Sequence, residues 1–80
     1  MKIDILLFAG LKQACGTSKV SITVSEPATV SNILDELKKE HNTLKDIPII
    51  LCAKNLEYVT FEEQVQESDS IAFFTPVNGG

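Results

Sequence analysis

The first and last strand-like segments of this 80-residue chain are apolar on both sides, and only one segment has helical spacing to cover them. In "KIDILLF", residues 2–8, Ile3, Ile5 and Leu7 alternate with Asp4, Leu6 and Phe8, so two sets of side chains point to opposite faces of a strand. In "IAFFTPV", residues 71–77, Ile71 and Phe73 likewise oppose Ala72 and Phe74. Helical spacing occurs in "ATVSNILDELKKEHNTL", residues 28–44, which places Val30, Ile33, Leu34, Leu37, His41 and Leu44 about three or four positions apart. One helix covers one face of a sheet. Asp4 shares its side with Leu6 and Phe8, so that side is the one expected to stay open. Phe8, Phe74 and Tyr58 are then expected on an exposed apolar patch, the kind of surface that marks a partner site. The competing expectation is a face closed by the loop at residues 9–18.

The remaining segments fill in the order. Leu11–Cys15 can make one helical turn closed by Gly16, and "KVSITVS", residues 19–25, alternates Val20, Ile22 and Val24 with Ser21, Thr23 and Ser25 as a strand with one wet face. It is expected to form a hairpin with the first strand. Pro27 breaks the sheet, Thr29 or Ser31 caps the helix, Lys38 and Lys39 fall in its later turns, and His41 is a capping or half-buried group at its end. "IPIILCAKN", residues 47–55, reads as a buried strand and "LEYVTF", residues 56–61, as a shorter one. "EEQVQESDS", residues 62–70, is a polar connection with Val65 anchoring a turn, and Pro76 ends the last strand.

The order β-β-α-β-β-β predicts an α+β fold of the β-grasp, or ubiquitin-like, type. It has a mixed four- to five-stranded sheet with one main helix packed on one face. Val30, Ile33, Leu34 and Leu37 are expected to face Ile3, Ile5, Val20, Ile22 and Ile71. An all-antiparallel α+β roll is the alternative. Residues 1–80 are expected to form a single domain with a flexible C-terminal tail over 75–80.

Charge and composition narrow the function. Seven lysines, no arginine and eleven carboxylates give a net charge of −4, which disfavours nucleic acid and anionic membranes and suits a basic protein partner. No apolar run approaches the ~20 residues that span a bilayer. Cys15 and Cys52 stand too far apart for a redox pair or a zinc knuckle, and with a single histidine, His41, no metal site is expected. Both cysteines read as small core residues of a cytoplasmic protein. There is no phosphate loop, no nucleophile elbow and no Cys-His pair, and the carboxylate pairs Asp35-Glu36 and Glu62-Glu63 diverge on either a helix or a strand.

What remains is the ending, "FFTPVNGG". Residues without a Cβ atom can thread a channel too narrow for any other, bringing a terminal carboxylate to a buried catalytic centre. That carboxylate is a poor electrophile until it is activated, typically as an acyl-adenylate made by an ATP-using partner. Attack by sulfur then gives a thiocarboxylate, and attack by a lysine gives an isopeptide.

"LLFAGLKQACG", "AKNLEYV" and "ESDSIAFFTPVNGG" together resemble the MoaD family, the small sulfur-carrier subunits of molybdopterin synthase, over nearly the whole chain. The family's ending is commonly written D-x-[IV]-A-[FI]-x-P-P-[VI]-x-G-G, and this chain departs from it at Thr75, where the first of two prolines usually stands. The resemblance implies no activity alone and no bound cofactor, only a transient acyl-adenylate and thiocarboxylate on Gly80. It implies a MoeB-type adenylating enzyme, a sulfur donor protein, and a MoaE-type large subunit in a heterotetramer that delivers sulfur to cyclic pyranopterin monophosphate. In that cycle Gly80 carries the reactive atom, Gly79 gives clearance, Pro76 and Val77 lead into the channel, and Phe8, Tyr58 and Phe74 dock on partners. A ThiS-like carrier for thiazole synthesis, a ubiquitin-like protein modifier and a non-enzymatic β-grasp binding module are the alternatives. A β-grasp ferredoxin is excluded, because its cluster needs four cysteine ligands.

Overall fold

A computed structural model describes residues 1–76. In chain order the elements are β1 (Lys2–Leu7), α1 (Ala9–Cys15), β2 (Lys19–Thr23), β3 (Ala28–Thr29), α2 (Val30–Glu40), a 3₁₀ helix (Asn42–Asp46), β4 (Leu51–Lys54), β5 (Glu57–Tyr58), β6 (Gln64–Val65) and β7 (Ser70–Phe74). Five of the strands form one sheet in the order β2-β1-β7-β4-β5. β1 and β7 are parallel neighbours at its centre, and every other pairing in that sheet is antiparallel. The two segments that are apolar on both sides are therefore the two central strands.

The core lies between this sheet and the helices. Ile3, Ile5 and Leu7 from β1, Ile71 and Phe73 from β7, and Val30, Ile33 and Leu37 from α2 are fully buried. Val20 is half-buried at the margin, because β2 is an edge strand. α2 starts where the sequence can satisfy its unpaired N–H groups. Thr29 Oγ1 accepts from the Asn32 N–H at 3.3 Å, and Asn32 Oδ1 accepts from the Thr29 N–H at 2.9 Å, a reciprocal capping box. The Val30 and Ser31 N–H groups donate to the Glu63 and Phe61 carbonyls, both at 2.9 Å. His41 is the half-buried C-cap of α2, and its N–H donates to the Leu37 carbonyl at 2.9 Å.

Several expectations change. The single turn at Leu11–Cys15 is a seven-residue helix, α1, closed by Gly16 in the left-handed region at φ 73°. Its Leu11 is fully buried beside Leu44 in the main core, so residues 9–18 pack on the helical side and leave the Asp4 face open. In the run at 47–55 only Leu51–Lys54 pairs as a strand, and only Cys52 is buried; Ile49 and Leu51 are exposed. The reason is positional: β4's outward side has no covering layer, so an unbroken apolar run does not mean burial on both faces. In the polar connection at 62–70, Gln64–Val65 pairs with Ala28–Thr29 as a separate two-stranded sheet, too short to show a period of two. The expectations at Val77, Gly79 and Gly80 lie outside the described residues.

Candidate functional site: the open sheet face

Cross-strand register arranges the side of the sheet opposite the helices. Leu51 pairs with Phe74, Leu6 and Ala53 both pair with Ala72, and Tyr58 pairs with Ala53. Phe8 follows β1 and donates its N–H to the Phe73 carbonyl at 3.2 Å, which keeps it beside the end of β7. Phe8, Ala53, Leu56, Tyr58, Ala72 and Phe74 line a groove of about 230 Å³. The two alanines make its floor, and the larger side chains its walls. Tyr58 and Phe74 meet edge to face, with ring centroids 5.6 Å apart and planes at 64°. Such pairs stabilise by about 0.5–1.5 kcal/mol beyond burial. Phe8 remains 50% exposed and Tyr58 81% exposed, so the groove is an unfilled apolar surface rather than core.

The other half of the face is polar. Asp4 pairs with Ser70 and Ser21, and the Ser21 hydroxyl donates to Asp4 Oδ1 at 2.7 Å. That bond, helped by Lys19 and Lys2, holds the Asp4 carboxyl below its usual range. The apolar half is the half next to the C-terminal end of β7, where the chain leaves the sheet. There Thr75 is half-buried, Pro76 is exposed, and a Cβ placed on Gly10 would meet Thr75 Cγ2 at 3.5 Å, so the start of α1 lies against the root of the tail.

Structure thus brings together Phe8 and Phe74, as the alternation of β1 and β7 indicated, sets Tyr58 beside them through its pairing with Ala53, and adds Leu56. Asn55 and Leu56 form the two-residue connection between β4 and β5, with φ of 53° and 71°. Both central residues at positive φ suit a tight hairpin turn, whose usual sequence is Asn-Gly. Asn55 is held from three sides: its N–H donates to the Ser70 carbonyl at 2.8 Å, its Oδ1 accepts from the Ser70 N–H at 2.9 Å, and its Nδ2 donates to Asp69 Oδ1 at 2.9 Å. Asp69 also accepts from the Gln66 N–H at 2.8 Å. The Gln66 bond and then the Asn55 bond keep its carboxyl below the usual range. Reading "LEYVTF" as a strand hid this turn; the asparagine before Leu56 was the available signal.

The two thiols and Lys54 are quenched or occupied. Burial raises both thiols, so Cys15 and Cys52 stay protonated at neutral pH, and Cys52 Sγ lies 3.2 Å from the Val59 carbonyl. Lys54 is engaged by Glu63 at 2.6 Å and by the Gln64 carbonyl at 3.1 Å; the Glu63 bond raises its pKa. Among the described residues, no group of three or more His, Cys, Asp or Glu is placed to hold a metal ion, and no helix is long and apolar enough to cross a membrane.

A mixed sheet grasping one main helix, with an aromatic open face, defines a ubiquitin-like β-grasp protein. The chain belongs to the ThiS family, whose model matches residues 5–80 and so includes Gly79 and Gly80. It is 30% identical to the molybdopterin synthase sulfur carrier subunit of Arabidopsis thaliana, over 100% of this chain and 84% of that protein. It is 29% identical to the subunit of the same name from Escherichia coli, over 98% and 99% of the two chains. Among solved structures it resembles SAMP1 from Haloferax volcanii at TM-score 0.89, with 29% identity and both chains fully covered.

Proposed function

We propose that this chain is the sulfur carrier subunit of a molybdopterin synthase, with the Gly80 carboxylate as its working group. The observation that carries the reading is the placement of the apolar half of the open face at the root of the Gly-Gly ending. A partner docked on Phe8, Tyr58 and Phe74 is positioned to receive the tail. This chain's likeness to two sulfur carrier subunits, over 84% and 99% of their lengths, supports the same role.

In this cycle a MoeB-type enzyme lets the Gly80 carboxylate attack the α-phosphate of ATP, giving an acyl-adenylate and pyrophosphate. A sulfide equivalent from the donor protein then attacks the carbonyl, AMP leaves, and a thiocarboxylate remains. Docked on a MoaE-type large subunit in a heterotetramer, the thiocarboxylate sulfur bonds to a carbon of cyclic pyranopterin monophosphate, displacing an oxygen substituent. Water then attacks the acyl carbon, the C–S bond to the tail breaks, the sulfur stays on the pterin and the tail returns to carboxylate. This chain's contribution is the docking face and the tail. Pro76 and Val77 lead the chain into the partner, and Gly79 adds no side chain near the reacting carbonyl. The raised thiol pKa values of Cys15 and Cys52 fit a carrier whose sulfur sits on the terminus rather than on cysteine.

Intact-protein mass spectrometry after incubation with the adenylating enzyme, ATP and a sulfur source should show one oxygen replaced by sulfur, localised to the C-terminal peptide. Deleting Gly80 should abolish the exchange. Sulfur gained at Cys15 or Cys52 would rule the carrier reading out. The likeness to SAMP1, a small archaeal modifier protein, favours a second reading in which the activated carboxylate forms isopeptides with lysines. Accumulation of lysine conjugates in a lysate, with no thiocarboxylate, would select it.

A further inference from the structure

Leu56 is 97% exposed, the most exposed of the large apolar side chains among the described residues. It also sits at φ 71°, where a bulky L-residue is a steric outlier. Neither feature helps this chain to fold: the left-handed conformation favours Gly or Asn, and the side chain buries nothing within the molecule. The turn nevertheless holds it open. Asn55, bonded to both backbone groups of Ser70 and to Asp69, fixes the preceding residue, and Leu56 stands at the margin of the groove formed with Phe8, Tyr58 and Phe74. Strain maintained by its surroundings beside an unfilled apolar groove is the kind that clusters at binding sites.

The reach of the tail indicates what covers this surface. Six residues follow Phe74, and at about 3.3–3.6 Å per residue they extend at most roughly 20 Å. An enzyme that closes over Gly80 therefore has its active site within that distance of Phe74, and its body presses on the apolar half of the open face. Asp69 bonds Asn55, so an acid lies beside the turn that projects the leucine, whereas Glu57 pairs with Lys54 on the other side of the hairpin.

We propose that Leu56 is the specificity-determining anchor for the acyl-adenylating enzyme, inserting into an apolar pocket with a basic rim, and that it is held open at the expense of this chain's own stability. The inference rests on the carrier reading above and adds to it a residue outside the aromatic patch.

The test uses a purified MoeB-type adenylating enzyme with the full chain and its Leu56→Gly and Leu56→Asn variants. Dissociation constants, pyrophosphate release and thermal midpoints are measured together. Leu56→Gly should melt above the wild type and Leu56→Asn at or above it, because both residues accept positive φ. Both should bind roughly 30-fold more weakly, the loss expected for a central anchor. The rate of pyrophosphate release at saturating carrier should stay unchanged, so that the defect lies in KM. Equal dissociation constants would overturn the anchor even if the wild type is adenylated normally. A lower midpoint for Leu56→Gly would overturn the claim that the turn is strained. Leu56-dependent binding without adenylation of Gly80 would keep the anchor and remove the carrier reading. A wild type neither bound nor adenylated would overturn both.

Discussion

Asp69 shows how a single residue shapes the open face. Its carboxylate accepts the Gln66 N–H and the Asn55 amide, and Asn55 in turn fixes the hairpin that presents Leu56 and Tyr58. Because its pKa is lower in the folded chain than in the unfolded one, the unfolded chain takes up a proton first as pH falls. The stability it contributes is present above the ordinary carboxylate range and is lost as pH drops below about 4. Asp69→Asn should therefore melt below the wild type at pH 7, and the gap should narrow toward pH 2; thermal midpoints across that range measure it. A gap that widened in acid would contradict the assignment. At this scale Phe8 and Phe74 were legible, because alternation along β1 and β7 puts side chains on one face or the other. Leu56 was not, since its placement depends on hydrogen bonds from Asn55 to residues 69 and 70, fourteen and fifteen positions away.

Among the elements, α2 was the most legible. Its apolar spacing, its cap at Thr29 and its closing lysines are local signals, and the observed helix runs Val30–Glu40 with those features in place. Leu37 is fully buried against the sheet, and truncating it to Ala leaves a cavity that neighbouring side chains fill only in part. The cost should be about 2–5 kcal/mol, read as a shift in the urea midpoint. A change well under 1 kcal/mol would mean that α2 is not packed as described. Two-residue strands carry no such local signal. β3 and β6 exist because the start of α2 needs acceptors for its first N–H groups, and the Phe61 and Glu63 carbonyls supply them. β5 is short because the two-residue turn at Asn55-Leu56 consumes the start of the segment read as a strand.

The whole molecule separates its buried core from its exposed aromatic groove by face. Every fully buried large side chain among the described residues lies between the sheet and its helices, while the aromatic groove lies on the other side. Phe74→Asp should consequently stay cooperatively folded, losing about 1 kcal/mol with the Tyr58 contact. Its affinity for the adenylating enzyme should fall by roughly 30-fold or more. Circular dichroism melts paired with binding isotherms check both halves. An unfolded variant, or a folded one with normal affinity, would show that the open face is not the docking surface.

The sequence by itself determined the element order that indicates a β-grasp sheet, the main helix, and the open side of β1 and β7. Each of these is written in periodicity or in consecutive residues, where local backbone geometry dictates which side chains share a face. Tertiary structure decided the rest. It placed α1 and Leu11 on the helical side, which leaves the Asp4 face uncovered, and it exposed Ile49 and Leu51 in a run that looked buried. It also turned Leu56 outward beside Phe8 and Phe74. Those outcomes depend on which layer covers which face and on hydrogen bonds between residues far apart in the chain, and neither leaves a periodic trace in the sequence.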